Sequence, residues 1–179
     1  VAQLNLSTDA LTSSGPMNPG KFCVLGCFFL TREIEISLAR AAHVTLNQSS
    51  KEVVWNLPAS KTDPNAIGVT RIWGCTCCAH SDSNRCPFHA ASSHLAFLKK
   101  TFGEGKDTLP CTLPLFPDER GNTVSKKAAV QTIIQLATLT GVCTVDATGS
   151  QLFGGHSPRT GGAHLLAAHG LDQAMIQAM

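Results

Sequence analysis

Residues 31–73 read TREIEISLARAAHVTLNQSSKEVVWNLPASKTDPNAIGVTRIW, and the change of period inside this stretch decides the fold class. As far as Arg40 the pattern is helical. Ile34, Leu38 and Ala41 recur at helix spacing, and Thr31 is a suitable N-cap. Two short β-type runs follow, Val44-Thr45-Leu46 and Val53-Val54-Trp55-Asn56-Leu57, parted by the polar turn Asn47–Ser50. After Pro58 come the turn formers Ala59-Ser60-Lys61-Thr62-Asp63-Pro64-Asn65-Ala66, and Gly68–Trp73 reads as a third strand. The stretch therefore predicts a helix, a turn and three short antiparallel strands, with Lys61 at the tip of the second hairpin.

Toward the N-terminus, Phe22–Leu30 is the longest apolar run. It has nine residues, contains Gly26, and is too short to span a bilayer, so a buried core segment is expected. The first twenty residues are rich in Ser, Thr, Asn, Gly and Pro without a period, and residues 1–20 are read as a lead-in or linker to one domain over 21–179. Toward the C-terminus, Pro87–Phe102 reads as a helix with Leu95, Leu98 and Phe102 on one side, and Leu109–Pro117 as irregular. Ser125 caps a helix from Lys126 to about Leu139, with Val130, Ile133, Ile134 and Ala137 as its apolar stripe and Gly141 as its stop. Ser157 and Pro158 open a helix through Ala168, which Gly161 and Gly162 weaken, and Asp172 caps a last one. The whole is expected to be α+β and mainly α-helical, with a small three-stranded antiparallel sheet.

The apolar fraction of 43% and charged fraction of 15% exclude a disordered chain. Fourteen basic and twelve acidic residues leave a net charge of +2, so nucleic-acid binding has no global basic excess behind it and must rest on a local face. There is no signal-peptide layout, and the start at Val1 suggests a fragment of a longer product. Four of the eight cysteines (Cys75, Cys77, Cys78, Cys86) lie close together, while Cys23, Cys27, Cys111 and Cys143 are scattered in apolar surroundings. That usage predicts metal ligands plus buried free thiols, hence an intracellular location, and a nuclear one if the host is eukaryotic.

Cys75-Thr76-Cys77-Cys78 followed by Cys86-Pro87-Phe88-His89 has the spacing of a zinc site with three thiolates and one imidazole. Any of Cys75, Cys77 and Cys78 can fill the two near positions, Cys86 and His89 sit one helical turn apart, and His80 is a further candidate ligand. Four ligands would make a closed, structural site with no catalytic role.

Three further segments carry chemistry: Arg32-Glu33-Ile34-Glu35 at the head of a helix, Lys61 in its turn, and His156-Ser157-Pro158-Arg159 followed by Thr160-Gly161-Gly162-Ala163. Arginine helix, then hairpin lysine, then a His-x-x-Arg helix start, in this order, resembles the catalytic domain of the tyrosine recombinases (phage-integrase type). The likeness runs over roughly residues 22–179 and takes in Pro114-Leu115-Phe116-Pro117 and the stretch from Ala163 to Met179.

The resemblance implies DNA breaking and rejoining in site-specific recombination or integration of a mobile element. In that chemistry Arg32 and Arg159 hold the non-bridging oxygens of the scissile phosphate with fixed, always-charged forks. Lys61 protonates the departing 5′ oxygen, His156 assists as proton acceptor or phosphate ligand, and Glu35 buttresses the first arginine. A tyrosine forms a covalent 3′-phosphotyrosine bond in the intact protein. This chain contains no tyrosine, and Met179 precedes the family's further His or Trp, so C-terminal truncation is expected and the chain alone should not cleave DNA. The implied partners are duplex DNA and other copies of the protein, four around two duplexes. No cofactor is required for catalysis, and no membrane partner is expected. Two alternatives stay open: a noncatalytic, zinc-stabilised DNA-binding remnant, and a type IB topoisomerase-like enzyme.

Overall fold

A computed structural model describes residues 8–57, 68–77, 85–103 and 108–178. Among them the protein is α+β, with six α-helices around a three-stranded antiparallel sheet. The helices are α1 (Pro19–Phe28), α2 (Glu33–Leu38), α3 (Pro87–Phe102), α4 (Lys126–Leu139), α5 (Ser157–Ala168) and α6 (Gln173–Ala178). The strands β1 (Val44–Asn47), β2 (Glu52–Leu57) and β3 (Val69–Gly74) pair in sequence order, with Val44 opposite Trp55 and Trp55 opposite Arg71.

The β1–β2 turn closes because Asn47 Oδ1 accepts from the Ser49 and Ser50 amides at 3.1 and 3.3 Å, an Asx turn of the kind its composition predicts. The apolar run Phe22–Leu30 forms the centre of the molecule. Phe22 meets Phe116 edge-on at 5.4 Å and Phe29 meets Trp55 at 4.9 Å, so α1 joins the sheet to the 113–116 segment. No described helix is long and apolar enough to cross a membrane.

Three expectations change. Residues 8–18, inside the expected lead-in of residues 1–20, are packed: Met17 donates to Pro117 O at 2.8 Å, and Pro16 and Asn18 are buried. Helix α1 then begins at Pro19, ahead of the expected boundary. Helix α2 is shorter than its periodicity suggests and turned over. Its N-cap is Arg32, not Thr31, and Ile36 and Ser37 face inward while Ile34 and Leu38 are exposed. The cause is long-range: Ala39 O accepts from Leu115 N at 2.6 Å and Ala41 donates to Leu113 O at 2.9 Å, pulling Ala39 and Arg40 out of the helix into extended pairing ahead of a short 3-10 turn at Ala41–His43. Cys111 and Cys143, expected to be buried thiols, are exposed.

His94 lies fully buried on α3, stacked on Phe116 at 4.2 Å, with Nε2 2.5 Å from Leu115 O. Donation to that carbonyl fixes the neutral tautomer and leaves Nδ1 without a partner. Burial holds its pKa down at about 4, against an ordinary 6.5. The unfolded chain therefore takes up a proton first, and stability present above pH 6.5 is lost as pH falls toward 4. The interval is worth about 3 kcal/mol. Urea titrations at pH 7 and pH 4.5 should show this loss, and His94→Phe should remove most of it.

Candidate functional site: an arginine cluster and a Cys3His centre

Where α1 ends, Leu30 takes φ +49°, and the chain turns into α2 with the Phe29 and Leu30 carbonyls left outside the helical ladder. Arg159, in the first turn of α5, donates from Nε to Leu30 O at 2.7 Å. Its Nη2 reaches Glu35 Oε2 at 3.4 Å, and the same oxygen accepts from the Arg32 amide at 2.7 Å. Glu35 thus fastens the head of α2 to a guanidinium 124 residues away. Arg32, Glu35 and Arg159 are all half-buried, and the Arg32 Nε is buried without a hydrogen-bond partner.

Two glycines permit this approach. A Cβ on Gly155 would meet the Glu33 carboxylate at 2.0 Å, where Glu33 donates its amide to Gly155 O at 3.0 Å. A Cβ on Gly162 would lie 2.0 Å from Cys27 O, so α5 rests directly on the backbone of α1. The Glu33 side chain, almost wholly buried, pairs with exposed Lys126 at 3.4 Å and ties α2 to α4. His156 stands at the α5 N-cap, exposed, with no side-chain capping bond. The helix takes Ser157 as its first residue, one place earlier than expected, and Ser157 Oγ accepts from Gly154 N at 2.9 Å. Lys61 lies outside the described residues.

Sequence reasoning missed Arg71. It sits mid-way along β3, and its Nη1 donates to Phe29 O, the carbonyl next to the one that holds Arg159. Burial lowers its pKa, the neighbouring Arg159 adds to that, and Glu35 opposes it. The alternation of β3, with Arg71 and Trp73 half-buried between exposed neighbours, was the available signal.

The second site lies past the end of β3. Cys75, Cys77, Cys86 and His89 bring their ligand atoms within 4.8 Å of one another, an arrangement that can hold a metal ion. Cys78 and His80 lie outside the described residues. Cys86 Sγ is 3.7 Å from Cys75 Sγ, and His89 Nδ1 is 3.8 Å from Cys75 Sγ and 3.3 Å from Cys77 Sγ. Metal–sulfur bonds of about 2.3 Å and a metal–nitrogen bond of about 2.0 Å at tetrahedral angles give edges of about 3.8 and 3.5 Å. These three edges fit that figure, and the remaining ones lie within 4.8 Å. Burial pushes the Cys86 thiol up, but hydrogen bonds involving His89 and Thr76 outweigh it and bring its pKa down to about 6. Cys77 is pushed up to about 11, by desolvation and then by the Cys86 and Cys75 sulfurs. Pro87 opens α3 between its two ligands and tolerates the lost N–H at that position.

A cavity of about 320 Å³ behind α5 is lined by Cys23, Cys27, Ile133, Leu136 and Phe153, and its walls are almost wholly apolar. Burial raises both thiols, Cys27 to about 11, so they stay protonated and unreactive at neutral pH.

Fold and sites together define an α+β protein with a part-buried arginine–carboxylate cluster at one helix junction and a Cys3His centre beside its sheet. Neither the models of known protein families nor the curated proteins give a match to this chain.

Proposed function

We propose that this chain is the phosphate-gripping part of a DNA breaking-and-rejoining domain of the tyrosine-recombinase type. The observation that carries the reading is the meeting of Arg159 with Glu35 and the Arg32 amide, across more than a hundred residues of sequence. These residues sit on elements in the order the resemblance implies: arginine helix, three strands, then the His-x-x-Arg helix start. Arg32 and Arg159 are half-buried, and Glu35 pairs with the Arg159 guanidinium but takes only the amide of Arg32, so positive charge remains that a phosphodiester oxygen would neutralise with charge-assisted hydrogen bonds. Lys61, on the β2–β3 connection, is the proposed proton donor to the leaving 5′ oxygen, and His156 the assisting group. With no tyrosine in the sequence, the nucleophile is not among these residues, and the proposal for this chain is confined to binding and polarising the phosphate. Duplex DNA is the proposed partner, and assembly of several copies around it is part of the same reading.

Fluorescence anisotropy with a labelled duplex tests this. Binding should weaken with salt as counterions are released, and Arg32→Ala or Arg159→Ala should weaken it about tenfold or more. Binding that ignores both salt and these substitutions would sink the reading.

We further propose that the Cys3His centre holds a structural zinc ion. Three soft thiolates and one imidazole gathered within 4.8 Å favour zinc, and four protein ligands leave no open position, so the ion would be structural. It would join the end of β3 to the start of α3.

A further inference from the structure

Arg71 has no counterpart among the residues that the sequence singles out, yet the fold delivers it to the arginine cluster. Its strand is at the edge of the sheet, where an outward-pointing arginine would be free in solvent. It turns inward instead. Register places it opposite buried Trp55, and its neighbour on the same face, Trp73, packs edge-on against Phe28 at 5.3 Å. The inward face of β3 thus lies against the end of α1, and Arg71 reaches the Phe29 carbonyl while Arg159 takes Leu30.

The charge balance at this point is unusual for a structural contact. Arg71 and Arg159 bring two guanidiniums to one carboxylate, Glu35, which also takes the Arg32 amide. A single helix end needs one donor per exposed carbonyl and supplies only a fraction of a negative charge. The Nε atoms of both Arg71 and Arg32 are buried with no partner, although a guanidinium donor left unmet in a part-buried place is costly. An anion at Arg71 and Arg159 would offset the guanidinium charge that the single Glu35 carboxylate leaves unmatched.

We propose that Arg71 is a third phosphate-binding arginine of this site, held by β3 beside Arg159 so that its guanidinium takes an oxygen of a DNA phosphodiester. The inference rests on the DNA reading of the Arg32–Arg159 site. It adds that the edge strand carrying Arg71, and not only the two helix starts, grips the backbone.

The test is anisotropy of a labelled random-sequence duplex across a salt series, on the full chain loaded with zinc. Arg71→Gln should weaken binding about tenfold and reduce the slope of log affinity against log salt by about one, the mark of one lost phosphate contact. Arg71→Lys keeps the charge and loses the fork, so its slope should match wild type while its affinity falls several-fold. A role confined to capping α1 would lower thermal stability and leave the slope of Arg71→Gln at the wild-type value; that result overturns the inference. If Arg71→Gln does not fold, Arg71→Lys decides: reduced affinity supports the proposal and wild-type affinity rejects it. Failure of the parent reading looks different, because the wild-type protein itself would then show no salt-dependent binding.

Discussion

Stripping the proposed zinc with a strong chelator is expected to lower the melting temperature by roughly 6–12 °C. A zinc ion held by the cluster would close a loop between Cys75 and His89, and cross-linking a loop of about 15 residues removes about 3 kcal/mol of freedom from the unfolded chain. For a chain of this size each kcal/mol is worth about 2–4 °C. Full collapse is not expected. Phe22, Phe29, Trp55 and Phe116 form a core that does not include the metal ligands. Purified protein should carry one zinc per chain. Cys86→Ser should lose the metal and show the lower melting temperature without chelator, whereas Cys111→Ser, at an exposed position outside the cluster, should keep both. Metal-free protein that melts at the same temperature as loaded protein would remove zinc from the account.

Gly162→Ala should cost about 3 kcal/mol, while Gly161→Ala next to it should gain up to about 1 kcal/mol. The two glycines are adjacent on α5 but meet different surroundings. A Cβ at Gly162 would press on Cys27 O at 2.0 Å and Leu30 Cδ2 at 2.8 Å, and the backbone of α1 cannot step aside without moving the helix. A Cβ at Gly161 would find only Cys27 Sγ, at an ordinary 3.9 Å. There the usual helix preference for alanine decides the sign. The consequence reaches the site, because lifting α5 off α1 draws Arg159 from the Leu30 carbonyl. Gly162→Ala should therefore also weaken duplex binding, and Gly161→Ala should not. Equal melting temperatures for the two variants would contradict this packing.

Much of the secondary structure was legible because its signals are local. The Pro87–Phe102 helix matches its reading to the residue, Ser125 caps α4 through a 3.2 Å bond from the Ala128 amide, and Asp172 caps α6. The three strands differ from their readings by a residue at most ends. The cysteine cluster was legible because ligand spacing is itself local, and the fold brings Cys75, Cys77, Cys86 and His89 together, while Cys78 and His80 lie outside the described residues. What failed depended on distant partners. Nothing near Ile34 and Leu38 announces that Leu113 and Leu115 will unwind the residues after α2 and turn its apolar pair to solvent. The polar composition of residues 8–18 hides that they lie against Pro117 and α4, where Thr12 and Thr132 hydroxyls meet at 3.1 Å. The α4 stripe is likewise rotated: Ile133 and Ala137 are buried as expected, but Val130 and Ile134 are half-buried and Ala129 and Leu136 take the inner face. Gly162 reads as a helix weakness until the backbone of α1 is seen against it. Arg71 shows no motif because its meaning lies in the Phe29 carbonyl, 42 residues earlier.

The central claim is that Arg32 and Arg159 form a phosphate site for duplex DNA. The most direct measurement is the salt dependence of duplex affinity for wild type beside Arg159→Ala. The account predicts a linear fall of log affinity with log salt for wild type, and a slope shallower by about one, with affinity about tenfold lower, for the variant. Identical slopes and affinities for the two proteins, or a wild-type affinity indifferent to salt, would contradict it.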